Sequence, residues 1–474
     1  MRPTRRRVII GLIAAFAVWG WFDVRNRGAL DPSRRWLHKT DFTVYTEAGA
    51  AFFDGRDPYA VTNSRGWGYL YPPLFAILVA PLHVLDTRNQ VLAWFALSVL
   101  MGWGCYRELV RIARALLPHE PDRGIFGPMP DWLGIAAVTA AMLPALNCLQ
   151  RGQVGVAKLY FLLLGFRLLI AGRAHFGPLA AGCLFAFPVV LKITPAVPVA
   201  MAIGQQWTAA WSAKTRRAWS RGGSLCLGTA AGLAVCLLVL PGALVGWRAN
   251  LDHLNTWWNK VALHAESTAA NDFAGDTTTL RNQSLTNATR HLGNWAHHYF
   301  AGGPHDNGPE QLRLGGTGLL MDAPLVDAVL MVVRAIVACL TVAIGFRMAK
   351  AQDRLGQAAA FGMACAATLI LFSIARGHYY VMLLPAVGFV GLWLLHHDRR
   401  GWAVTLSIVP CVLVISHYAL LDIAGRIGLL GLGITVWYLA AGTVLLWPER
   451  TAAAQAGASP KLPKRAAAVR PLAA

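Results

Sequence analysis

The sequence predicts an all-α protein that threads a lipid bilayer about twelve times, with interfacial helices in its outer loops. Three observations carry that prediction. Of 474 residues, 56% are hydrophobic and only 14% charged, whereas a soluble globular domain has about a quarter of its residues charged. The apolar residues lie in blocks of roughly 15 to 24, the length a helix needs to cross about 30 Å of hydrocarbon. The basic residues cluster between those blocks, at Arg5-Arg6-Arg7, Arg107 to Arg114, Lys214 to Arg221, Arg399-Arg400 and Lys461 to Arg470, the pattern of cytoplasmic loops. An ordinary cytosolic enzyme, a nucleic-acid-binding domain and a secreted disulfide scaffold are thereby excluded. The formal charge of +20 is read as facing anionic lipid headgroups, with no nucleic-acid partner.

In chain order, the first block, 8–22, follows three arginines as a signal peptide would. It lacks a small-x-small cleavage site before Asp23-Val24-Arg25, so it reads as a retained span. Further spans are expected near 90–106, 132–147, 153–171, 177–191, 195–207, 223–245, 325–348, 356–374, 379–396, 401–420 and 427–447. Both termini are then cytoplasmic. The division between 177–191 and 195–207 rests on Lys192-Ile193-Thr194-Pro195, because proline lacks a backbone donor and disfavours helix at the residue before it. Such a break at membrane depth implies a protein-lined or watery cavity. The run Leu74 to Leu85 is too short to span and follows two prolines, so an interfacial or partly inserted helix is expected. The result is one transmembrane domain, 1–448, with outer loops at about 23–89 and 246–324. A basic cytoplasmic tail, 449–474, has no apolar face to bury and is expected to be disordered.

The outer ends of the spans carry the chemistry. Asp41 can deprotonate an acceptor hydroxyl as a general base, or it can cap the short helix that follows it. Asp54 and Asp57 sit in Asp-Gly and Asp-Pro turns and read as structural. Arg151, Lys192 and Arg376 are cations at the outer boundary, where a charge needs a partner. They can grip a lipid-linked phosphate or snorkel to headgroups, and Lys192 is the strongest candidate because it sits at the helix break. Lys158, inside its span, stays open between substrate contact and snorkelling. His378 can carry a proton or donate to a phosphate, or be structural. Tyr69, Tyr71 and Tyr379 can stack sugars or form an interfacial belt, while Asn282 and Gln283 are a commonplace loop pair.

What is missing narrows the classes further. The eight cysteines lie in or beside apolar blocks without a CxxC pair, so neither a disulfide framework nor a zinc site is expected. Acidic metal-binding clusters are also missing, so no cofactor and metal-independent chemistry are expected. There is no Walker lysine loop, no GxGxxG after a strand, no HExxH and no GxSxG, which leaves chemistry driven by cytosolic nucleotides unsupported.

Six short pieces, in order, resemble the polytopic glycosyltransferases of family 87 in the GT-C superfamily. They are Asp41-Phe42-x-x-Tyr45 with Gly55-Arg56-Asp57-Pro58-Tyr59, then Tyr71-Pro72-Pro73 before an apolar helix, and Gly152-Gln153 opening a span. Lys192-Ile193-Thr194-Pro195, Asn282-Gln283-Ser284-Leu285 and His378-Tyr379 complete the set. The resemblance implies a GT-C-like fold and a plasma-membrane enzyme with an extracytoplasmic active site. It implies transfer of a hexose, typically mannose, from a polyprenyl-phosphate donor to a hydroxyl of a glycolipid or glycan acceptor, with inversion. By the same resemblance Asp41 is the base and His378 a second active-site group. Lys192, Arg376 and Arg151 then hold the donor phosphate, and Tyr45, Tyr71, Gln153, Asn282 and Gln283 contact substrate. The chain departs from the family's pattern at Lys158 and at Ser373-Ile374-Ala375-Arg376.

The competing class is a transporter or flippase of lipid-linked sugars. That would place ionisable residues near the bilayer centre on paired discontinuous helices, with internal repeats. Here no repeat is found, and the polar groups gather at one face with two long loops.

Overall fold

A computed structural model describes residues 3–30, 36–64, 66–172, 176–263, 280–301 and 324–447. The predicted tail, 449–474, lies outside them. Every expected apolar block is helical. Helix α1 (Pro3–Arg27) leads to a first connecting region, which holds α2 (Phe42–Phe53) and α3 (Pro73–Val79), the latter extended by a 3-10 turn over Ala80–Val84. Next come α4 (Thr87–Leu116), α5 (Asp131–Arg151), α6 (Gly155–Ala171), α7 (Phe176–Leu191) and α8 (Ala196–Ala213). Helices α9 (Arg216–Ala234) and α10 (Leu240–Val245) are joined by a π turn, Val235–Val239.

A second connecting region holds α11 (Trp247–Trp257), which ends in a π turn over Trp258–Ala262, and α12 (Leu285–Ala301). Then follow α13 (Pro324–Lys350), α14 (Arg354–Leu371), a 3-10 turn over Gly377–Met382, α15 (Leu383–His396), α16 (Arg400–Ala419), α17 (Leu421–Arg426) and α18 (Leu429–Leu446).

The fold is all-α and integral to a membrane. By length and composition, seven helical stretches among the described residues can cross one unaided: Asp131–Arg151, Arg216–Val245, Val326–Lys350, Arg354–Leu371, Gly377–His396, Arg400–Ala419 and Leu429–Leu446. Helices α6 and α7, at 17 and 16 residues, reach only about 25 Å at 1.5 Å per residue, short of a 30 Å core. The break at Lys192 lies where Pro195 predicts it, between Leu191 and Ala196. The run after Pro72 forms the expected short helix.

One element departs from the all-α expectation. Gly28–Leu30 and Trp36–His38 pair as an antiparallel ribbon, with Gly28 opposite His38 and Leu30 opposite Trp36. Coming straight off α1, this ribbon satisfies backbone groups that a bare loop would leave open.

Helices α14 and α15 form the centre and are buried nearly all round. Their sequences explain it. α15 is apolar on every face, so it can be packed all round by other helices without burying an unpaired charge. α14 carries Ala358, Ala359, Ala360, Gly362, Ala364, Ala366 and Ala367, and small residues let helix backbones approach closely. A Cβ on Gly362 would come within 2.9 Å of Ala386 Cα on α15. With the hairpin in the middle, the 372–382 segment between its helices lies at the centre of one end of the bundle.

Candidate active site

Asp41 occupies the N-cap position of α2 but makes no side-chain cap hydrogen bond, so the capping reading fails. The turn between α5 and α6 engages it instead. The Asp41 N–H donates to Arg151 O at 2.8 Å, and Gln153 Nε2 donates to Asp41 Oδ2. Arg151 Nε lies 3.8 Å from the same oxygen. Gly152 makes this possible: its φ of +66° is the left-handed region, and a Cβ would stand 2.6 Å from Phe42 Cβ.

One turn along α2, Tyr45 OH and Tyr71 OH are 3.2 Å apart, and Tyr71 OH donates to Gln153 Oε1 at 3.4 Å. Burial pushes both phenols well up, so they remain donors. A polar chain therefore runs from Tyr45 through Tyr71 and Gln153 to the Asp41 carboxylate.

The facing wall is cationic. Lys192 Nζ donates to Tyr379 OH, with the ammonium 4.0 Å from that ring's centroid. Burial, and then repulsion from Arg376, lower its pKa to about 7. The Arg151 and Arg376 guanidiniums lie 5.0 and 5.7 Å from the Trp67 ring centroid, within cation–π range. His378 is buried, edge-on to Tyr379 with centroids 4.6 Å apart, and neither ring nitrogen has a hydrogen-bond partner among the described residues.

A cavity of about 240 Å³ lies between these walls. It is lined by Asp41, Tyr45, Tyr71, Gln153, Lys192, Arg376 and His378, with Trp67, Thr194 and Tyr379. Its other flank is apolar: Leu70, Ile193, Trp257, Val261, Phe372 and Ile374. Seven of the ten residues that the resemblance assigns to the site therefore share one cavity.

Arg151 faces a second cavity, of about 790 Å³, with Arg27, Lys39, Arg281, His38 and His417. Burial and the charge of Arg27 bring His38 down to about 4, so it stays neutral there.

Asn282 and Gln283 line neither cavity. Asn282 Oδ1 accepts from Ala375 N at 3.0 Å, and Gln283 Nε2 donates to Leu280 O and Gly425 O. With the Gln283 N–H on Ala375 O and the Gly377 N–H on Arg281 O, they brace the segment that carries Arg376 and His378. The Asn282 oxygen and the Gln283 amide nitrogen are thus bonded to backbone, where the resemblance implied substrate contact. Asp57 is structural, its Oδ1 accepting from Tyr59 N at 2.9 Å. Trp67 and Trp257 escaped the sequence reading. The only signal for Trp67 is its place between Gly66 and Gly68.

The family model for glycosyltransferase family 87 matches residues 69–373, more than half of the chain. The chain belongs to glycosyltransferase family 87. No curated protein and no solved structure matches it. In this family 87 glycosyltransferase the matched stretch contains Tyr71, Arg151, Gln153 and Lys192. Asp41, Arg376 and His378 lie outside it and are brought to the same cavity by the fold.

Proposed function

We propose that this enzyme moves a hexose, mannose in the first instance, from a polyprenyl-phosphate carrier to an acceptor hydroxyl, inverting the anomeric centre. The observation that supports this reading most is the meeting of one carboxylate, Asp41, with Lys192 and Arg376 across a single 240 Å³ cavity that has one apolar flank. Such a cavity suits a sugar joined to a lipid phosphate. The prenyl chain leaves along Ile193, Trp257, Val261 and Phe372. The larger, cationic cavity on the far side of Arg151 supplies the acceptor's approach and suits an acceptor with an anionic group.

A lipid phosphate is already a good leaving group, so no strong acid is required. Lys192 and Arg376 stabilise the departing oxygen, Tyr45 and Tyr71 orient the sugar, and Gln153 with Arg151 hold Asp41 in place. The acceptor oxygen attacks C1 as the C1–O bond to phosphate breaks, and its proton passes to Asp41. His378, whose ring nitrogens have no hydrogen-bond partner among the described residues, can bond a sugar hydroxyl or phosphate oxygen. The chemistry proposed is metal-independent and takes place on the extracytoplasmic side of the plasma membrane, with both termini cytoplasmic.

The test uses purified protein, polyprenyl-phosphate-mannose and candidate glycolipid acceptors, with acceptor-dependent release of polyprenyl phosphate as the readout. Asp41→Asn should abolish release, a loss of at least about a thousandfold, while donor binding persists. Full activity in that variant removes Asp41 from the mechanism.

A further inference from the structure

Lys158 is the charged group that the transfer chemistry leaves unused. It stands in the first turn of α6 and is 3% exposed. Its ammonium donates to Thr194 Oγ1 at 3.4 Å and lies 5.4 Å from the centroid of the Tyr379 ring. Lys192 lies 4.0 Å from that same centroid. Two ammonium groups therefore share one aromatic ring. Among the described residues, neither forms an ion pair with a carboxylate. Keeping such an amine protonated in the interior is expensive, and an aromatic face compensates only in part. An anion bound in the adjacent cavity, lined by Lys192, Thr194 and Tyr379, would supply the counter-charge that favours the protonated form.

The transfer step explains why one lysine is not enough. A sugar-phosphate-prenyl donor is a phosphodiester with one negative charge. When the C1–O bond breaks, its electron pair stays on the phosphate and the acceptor's proton leaves with Asp41. The product is a phosphate monoester with two charges. An interaction that strengthens as this second charge develops lowers the barrier instead of merely tightening substrate binding.

We propose that Lys158 is the counter-charge for that second negative charge, a positioning residue acting across the Tyr379 ring beside Lys192. The proposal rests on the lipid-phosphate transfer reading. It makes the cavity selective for a prenyl phosphate monoester over a diester of the same chain.

The test is direct binding of citronellyl phosphate and citronellyl methyl phosphate to the purified full-length protein. It is run at about pH 7.5, where a monoester carries close to two charges. The unaltered protein should bind the monoester about tenfold tighter than the diester, a difference equivalent to about 1.4 kcal/mol. Lys158→Met should erase that preference while leaving diester affinity within about twofold, and Lys158→Arg should keep it. If methionine prevents folding, Lys158→Gln removes the charge while keeping a donor for Thr194, and the same criterion applies. Equal affinities in the unaltered protein, or a parallel loss of both in the neutral variant, overturns the proposal. Failure of the unaltered protein to bind either probe instead sinks the transfer reading beneath it.

Discussion

Lys192 gives the site a pH dependence whose sign can be worked out. Burial and Arg376 hold its folded pKa at about 7, below the usual lysine value of about 10.4. Below about 7 the folded state carries the full cost of the buried charge. Between about 7 and 10.4 the unfolded chain binds more protons, so stability from this group rises with pH. Ligand affinity runs the opposite way, since a bound anion requires the charged amine. Affinity for the phosphodiester probe, which does not titrate in this range, should fall by up to about tenfold per unit above pH 7. Lys192→Arg should flatten the curve in a titration of Kd against pH, and a flat curve in the unaltered protein excludes Lys192 as a phosphate ligand. At this scale the sequence was partly legible. A proline-broken helix marked Lys192, and the structure puts that residue on the cavity wall. The bracing role of Asn282 and Gln283 was not legible, because a polar pair that braces backbone has the same composition as one that grips a sugar.

The turn between α5 and α6 is the element on which the carboxylate depends. It offers Asp41 a backbone acceptor and a guanidinium from Arg151 and an amide from Gln153, and the Gly152 between them permits that geometry. Gly152→Ala should push the turn away from Thr40 and Phe42 and destabilise the protein by more than about 1 kcal/mol. Transfer should fall further than the folded fraction does. Thermal unfolding in detergent, paired with activity per folded molecule, checks this; a variant with normal specific activity would detach the turn from catalysis. The helices themselves were readable from run length, prolines and charge clusters, since those features decide which segments bury their backbone. The ribbon of Gly28–Leu30 with Trp36–His38 was not, because three-residue strands carry too little periodicity to register.

Across the whole molecule, pieces more than three hundred residues apart meet because the helices return them repeatedly to one face. That convergence followed from topology alone, whereas the division into two cavities is a matter of packing and left no trace in the sequence. Arg151 is the partition: it lines the larger cavity, while its Nε stands 3.8 Å from the Asp41 carboxylate, which lines the smaller. An anionic headgroup entering the larger chamber would compete with Asp41 for that guanidinium, leaving the carboxylate less encumbered just as a hydroxyl arrives. Water, bringing no such rival charge, would find the base still clamped. The enzyme should accordingly squander little donor by hydrolysis: free mannose should accumulate slowly without acceptor, and Arg151→Gln should raise that leak relative to productive transfer.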